Sequence, residues 1–372
     1  MFKFRKAQPP LPDSFQPRLR DGVQFHDSGD LGFMLSVNVG KFTRISEQGA
    51  YIVSQLDGDH SLADLRALLQ STVKEPVPLN ALEAFVVSLA KSNFLEDAPE
   101  IEAFQHKRKF NMRKILHPRL SLLKGTRIMQ SLANLFGKVP YSLGFVVMIL
   151  LLLNGIVSPL LLISLNHVPI VTISSGLSVK TGIVVMSLIF LEIVCHELGH
   201  GVVLTMFGAT VRGFGLGVHY FLIPFAFTDT SDSYRLKRHE RILVSLAGPA
   251  VDLVFLGVTA VSLFVLPPDS YATHILTFMM GYQITVIIWN LNFFLPLDGY
   301  YIVADLLNEP ALRQQGIRYW IYAPLRWIRI NKKKYSSRQH IVYSIYGALL
   351  ITYLAIFLIS AFSAMQFSQQ LP

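Results

Sequence analysis

His196, Glu197 and His200 stand in the order H-E-x-x-H within the stretch LEIVCHELGHGVV. Residues i and i+4 of an α-helix lie on one face, so the two imidazoles can be presented to a single zinc ion. The glutamate between them then reaches the water that such a metal activates. With 11 His in 372 residues and a similar number of Glu, chance would produce this spacing about 0.01 times. The surrounding residues are apolar, and polar or charged groups in a segment fit for lipid are costly unless they serve a buried site. Catalytic zinc takes three protein ligands and leaves one position open, so a third ligand must come from elsewhere. Asp298 is the candidate, because it ends the otherwise uncharged stretch NLNFFLPLDGYYI.

The elements that would carry these residues follow from the charge distribution. Only 15% of the chain is charged, against about a quarter in soluble domains. Of the first 140 residues 33 are charged, but of the remaining 232 only 24 are. That shortage excludes a purely soluble enzyme, and the abundance of Phe and aliphatic residues excludes a disordered or fibrous chain. Five apolar runs are long enough to cross a bilayer: 141–165, 181–207, 242–266, 275–297 and 342–366. None contains Lys or Arg. The 33 basic residues sort as 19 before the first run, Lys180 alone after it, five from Arg212 to Arg241, and eight from Arg313 to Arg338. Thirty-two of them fall on alternate sides, which places the N-terminus in the cytosol and the C-terminus outside. His200 then lies near the cytosolic end of the second span and Asp298 at the cytosolic end of the fourth, so both occupy one membrane depth. The net charge of +9 is an orientation signal. The basic stretches 106–138 and 318–338 abut spans and read as interfacial segments on an anionic leaflet, not as nucleic-acid surfaces. The first residues lack the apolar core of a secretory signal.

Three motifs together, HELGH, then YFLIPFAFTDTSDSYRLKRHERILVSLAGP at 220–249, then NLNFFLPLDGYYIVADLL at 290–307, resemble the site-2 protease superfamily, the M50 metallopeptidases. The resemblance implies a zinc-dependent intramembrane endopeptidase holding one Zn2+ per chain through His196, His200 and Asp298. It implies Glu197 as the catalytic base that takes a proton from the attacking water and passes it to the leaving amine. The family's asparagine, eight residues before the LDG aspartate and thought to bind the substrate carbonyl, falls on Asn290. The family's proline three residues after it is Phe293 here, while Pro296 keeps the later one. This leaves the parts of Asn290 and Asn292 to be told apart.

Ahead of the spans, residues 18–45 alternate in the manner of a small antiparallel sheet. Three helical stretches follow at 46–56, 61–70 and 80–95, opening on Ser46, on the Ser61-x-x-Asp64 box, and on Asn80 with Glu83. The pattern FTRISEQGAYIVSQLDGDHSLADL resembles the PqqD-like domains, which capture the leader of a ribosomally made peptide by adding it as a strand. With Arg66 and Lys91 the only basic residues on these helices, DNA reading is disfavoured. The expected fold is a mainly α membrane protein of about five transmembrane helices, preceded by a small α+β winged-helix-like domain. Its divisions are an extension (1–17), the PqqD-like domain (18–98), a basic linker (99–140), the metalloprotease core (141–310), and a basic segment with the last span (311–372). The expected partners are a peptide or membrane-protein substrate, a precursor leader, the lipid bilayer, and a peptide-modification enzyme or exporter. The expected place is a bacterial inner membrane. Two other readings are a non-proteolytic leader-binding component of a maturation or export system, and a regulatory site-2 protease.

Several further residues have two readings each. Glu192, one turn before His196, is either an orienting partner for an imidazole or a plain carboxyl in the site cavity. Asp252, after a tightly packed Ala-Gly-Pro, faces the same choice. Cys195 reads as a core residue, His219 and His274 as non-ligands, and Asp229 and Asp232 as loop carboxylates or substrate gates. The glycine-rich stretch 208–227 reads as a membrane-embedded hairpin or loop that pairs with substrate or packs as a lid.

Overall fold

The computed structural model of the chain describes residues 11–27, 33–37, 41–72, 79–92, 94–96, 119–123, 126–165, 178–219, 223–323 and 335–368. The N-terminal extension up to Pro10 and the basic stretches 106–118 and 324–334 lie outside the described residues. Backbone contacts divide the chain into two compact units, Met1–Arg127 with Gly208–Lys237, and Ile128–Phe207 with Arg238–Pro372.

The first unit opens with strands β1 (Gln24–Asp27), β2 (Phe33–Val37) and β3 (Lys41–Ile45), antiparallel in the order β1-β2-β3. Leu35 pairs with Phe25 on one side and Thr43 on the other. Helices α1 (Glu47–Ser54), α2 (Leu62–Thr72) and α3 (Leu79–Lys91) follow. Ser46 caps α1 by accepting from the Gly49 N–H at 3.0 Å. Ser61 and Asp64 form a reciprocal box at the start of α2, with bonds of 2.9 and 3.2 Å between each side chain and the other's backbone N–H. In the preceding turn the Asp59 N–H and the His60 ring bond the Asp57 carboxylate and hold it down at about 2. Glu83 accepts from the Leu11 N–H. Leu35, Val86, Leu89 and Phe94 are fully buried in the core of this module. The third helix stops short of the expected residue 95, because Leu95 turns out of it to bridge Leu19.

A second sheet joins β4 (Arg119–Leu123) to the hairpin of β5 (Phe214–His219) and β6 (Ile223–Thr228), in the order β4-β5-β6. The stretch read as a hairpin or loop is thus a hairpin paired in register from Phe214↔Thr228 to His219↔Ile223. Part of the basic stretch 106–138 is its third strand. Buried Asp232 ties the base of the hairpin, accepting from the Thr210 N–H (2.9 Å) and from Arg212 (3.2 Å) and Arg235 (3.4 Å). Its part is structural.

The second unit is helical. It holds α4 (Thr126–Gly137), α5 (Tyr141–Ser164), α6 (Val179–Met206), α7 (Arg238–Val265), α8 (Tyr271–Asn290), α9 (Asp298–Leu306), α10 (Leu312–Ile321) and α11 (Ser337–Ser368). Five of these, α5, α6, α7, α8 and α11, are long and apolar enough to cross a membrane by length and composition. The most buried is α7, and α5, α6, α8 and α9 pack against it. Exposed Leu, Ile and Phe side chains cover the outer face of α5, as lipid contact requires.

The fourth apolar run differs from expectation. It reads as one span to residue 297, but α8 ends at Asn290 and a turn over 291–297 intervenes. The Asn292 side chain accepts from the Phe294 N–H at 2.9 Å, a local bond that competes with helix continuation. Pro296 then offers no N–H. Hydropathy alone does not see the break, because Phe293, Phe294 and Leu295 are as apolar as a span.

Candidate metal centre

Three elements bring the sequence candidates together. His196 and His200 lie one turn apart on α6, and Asp298 is the first residue of α9. One ligand atom from each of His196, His200 and Asp298 falls within 4.8 Å of the others. The His196 and His200 Nε2 atoms are 3.1 Å apart. Asp298 places one carboxylate oxygen 3.2 Å from His196 Nε2 and the other 3.4 Å from His200 Nε2. A tetrahedral zinc ion with bonds of about 2.0–2.1 Å requires ligand-to-ligand edges of about 3.3 Å. The edge between the two imidazoles is close to that value, and each carboxylate oxygen of Asp298 lies at a similar distance from one ring, so the three residues can face one ion.

The far side of each imidazole fixes its tautomer. His200 Nδ1 lies 2.6 Å from the Val244 carbonyl, which can only accept, so Nδ1 carries the proton. His196 Nδ1 lies 2.9 Å from the Asp252 carboxylate, which does the same work. With the proton on Nδ1, a neutral imidazole at either position would turn its Nε2 lone pair inward, toward the other ring and toward Asp298. Lone pairs at 3.1–3.4 Å repel, and a cation between them removes the conflict.

Gly248 on α7 completes the cradle. A methyl group there would strike Nε2 of both His196 and His200. Val244, Gly248 and Asp252 recur every four residues along α7, one face of that helix. They meet His200, both rings, and His196 respectively. Of the two choices left open for Asp252, the structure shows the orienting one. Asp252 is 1% exposed, and it also accepts from Asn290 Nδ2 at 3.3 Å.

Glu192 takes neither of its expected parts. It is 2% exposed, so it lines no aqueous cavity, and its side chain accepts from Gln283 Nε2 on α8 at 3.1 Å. Asn290 and Asn292 also separate. Asn290 reaches Asp252 beside the centre, whereas Asn292 donates to the Tyr353 hydroxyl at 3.0 Å and shapes the turn. Glu197 is half-buried, one residue after His196 on α6. His219 ends β5, and His274, in the first turn of α8, does not belong to the ligand group.

Comparison with known proteins agrees with this geometry. Residues 183–270 match the family model of Peptidase family M50. The match takes in His196, Glu197, His200 and the Val244–Asp252 face, and ends before Asn290 and Asp298. A Bacillus subtilis (strain 168) protein named "Putative peptide zinc metalloprotease protein YydH" is 24% identical over 188 residues, covering 49% of this chain and 73% of that protein. No solved structure matches the chain.

Proposed function

We propose that the chain is a zinc-dependent intramembrane endopeptidase that cleaves a precursor or membrane peptide. The observation that carries this reading is the convergence of His196, His200 and Asp298 on one point, with Nδ1 of each imidazole held by an acceptor on α7. The M50 match and the named relative support it.

The residues divide the work. His196, His200 and Asp298 would hold the ion, with Asp252 and the Val244 carbonyl keeping the two rings turned inward. Zinc held there supplies Lewis-acid polarisation of the scissile carbonyl and of the attacking water. Glu197 accepts the proton that the water loses and returns it to the leaving amine. Asn290 keeps one Nδ2 hydrogen on Asp252 and has a second to offer to the carbonyl oxygen of the substrate. The apolar helices around the centre exclude bulk water, which strengthens each of these contacts.

The N-terminal module is a PqqD-like domain in this reading. Strands β1 and β3 are the outer strands of its described three-stranded sheet, and the family adds an extended leader segment to such a sheet. A ribosomally made precursor recruited by its leader fits this module.

The test replaces Glu197 by Gln in the full chain. The variant should bind one zinc per chain, as wild type does, and lose all cleavage; His196→Ala should lose the zinc. In the host, peptides that wild type processes should accumulate uncut with Glu197→Gln. Identical peptide profiles for wild type and Glu197→Gln would remove the protease assignment and favour a leader-binding component.

A further inference from the structure

The turn over 291–297 joins Asn290 to Asp298, and little of its own backbone holds it in shape. Among the described residues, the backbone bond within 292–297 is from the Leu297 N–H to the Leu295 carbonyl, at 2.8 Å. Its two ends nevertheless meet closely. A methyl group on Gly299 would collide with the Leu291 carbonyl. A metal ligand needs placement to within about 0.5 Å, so something outside the turn must fix it.

That support comes from α11. The Tyr346 hydroxyl donates to the Phe293 carbonyl at 2.9 Å, and Tyr353 accepts from Asn292 Nδ2 at 3.0 Å. The Phe294 ring stacks on Tyr353, with centroids 4.8 Å apart and planes at 24°. Tyr346 and Tyr353 are seven residues apart, two helical turns, so both act from one face. The turn's bare carbonyl, its side-chain amide and one of its rings are all taken by these two tyrosines. We propose that Tyr346 and Tyr353 are positioning residues, which set Asp298 and Asn290 in place by clamping the 291–297 turn. The inference rests on the metal centre proposed above. It gives the last span a share in the site, although α11 supplies none of the three ligand atoms.

The rival is that these tyrosines only pack α11 against its neighbours. Tyr343 provides the control, because it lies on the same helix and its hydroxyl donates to Glu309 at 2.6 Å. The experiment compares Tyr353→Phe, Asn292→Ala, their double variant and Tyr343→Phe in the detergent-solubilised full chain. The first readout is the rate of zinc loss to a chelator. The second is backbone hydrogen exchange over 291–297 in metal-free protein. Tyr353→Phe and Asn292→Ala should each speed zinc loss about tenfold or more. The double variant should be no faster than the faster single, since one bond is removed twice. Exchange over 291–297 should rise in all three and stay at the wild-type rate in Tyr343→Phe. Equal effects of Tyr353→Phe and Tyr343→Phe, or no change in exchange over the turn, would overturn the clamp. A wild-type chain that holds no zinc would instead sink the metal reading, and the exchange measurement would still decide whether the tyrosines order the turn.

Discussion

At the scale of single residues, the centre depends on what is missing from position 248 as much as on its ligands. The space between the two imidazoles exists because Gly248 has no side chain. Gly248→Ala should therefore abolish zinc binding and lower thermal stability by about 1–3 kcal/mol as the methyl group presses on the two rings, with helix content unchanged since Ala is at home in a helix. Metal analysis and circular dichroism check this together; stoichiometric zinc in the alanine variant would mean the ion sits elsewhere. The pairing of His196 and His200 was legible in the sequence, because H-E-x-x-H encodes its own geometry on a helix. Gly248 and Asp252 were not. Their four-residue spacing acquires meaning only when α6 lies against α7, a contact between residues 56 apart in the case of His196 and Asp252.

At the scale of elements, α7 carries the construction. One of its faces supplies Val244, Gly248 and Asp252 to the centre, and buried Arg241 binds Asp305 of α9 at 2.7 Å. Burial pushes the Asp305 carboxyl up, and the Arg241 guanidinium pulls it back. This pair anchors the far end of the short helix that begins with Asp298. A second tie, Glu192 to Gln283, links α6 to α8. Glu192→Ala removes the acceptor of a buried amide and should cost about 0.5–2 kcal/mol. Glu192→Gln keeps an acceptor and should cost much less. Thermal unfolding of the two variants in detergent discriminates, and equal losses would show that the hydrogen bond contributes nothing. Helix existence was readable from hydropathy and the starts of α1 and α2 from their caps. The end of α8 was not, since a turn made of Phe and Leu has the hydropathy of a span.

At the scale of the whole molecule, the distribution of Lys and Arg predicts the direction of every span. In a Cys195→Ser background, a cysteine introduced at Ser368 should react with an impermeant maleimide added outside intact cells, and one at Ser54 only after lysis. The reverse pattern would place the centre at the opposite membrane surface and remove the cytosolic module from leader peptides made in the cytosol. The order of the ligands along the chain has a consequence for biogenesis. His196 and His200 leave the ribosome about a hundred residues before Asp298, and the turn that carries Asp298 is clamped by tyrosines later still. A nascent chain thus holds the signature motif through most of its synthesis with one ligand absent. On the proposed reading the centre gains its third ligand only with Asp298 and its full support only with the last helix, so the half-built chain does not yet carry the finished site.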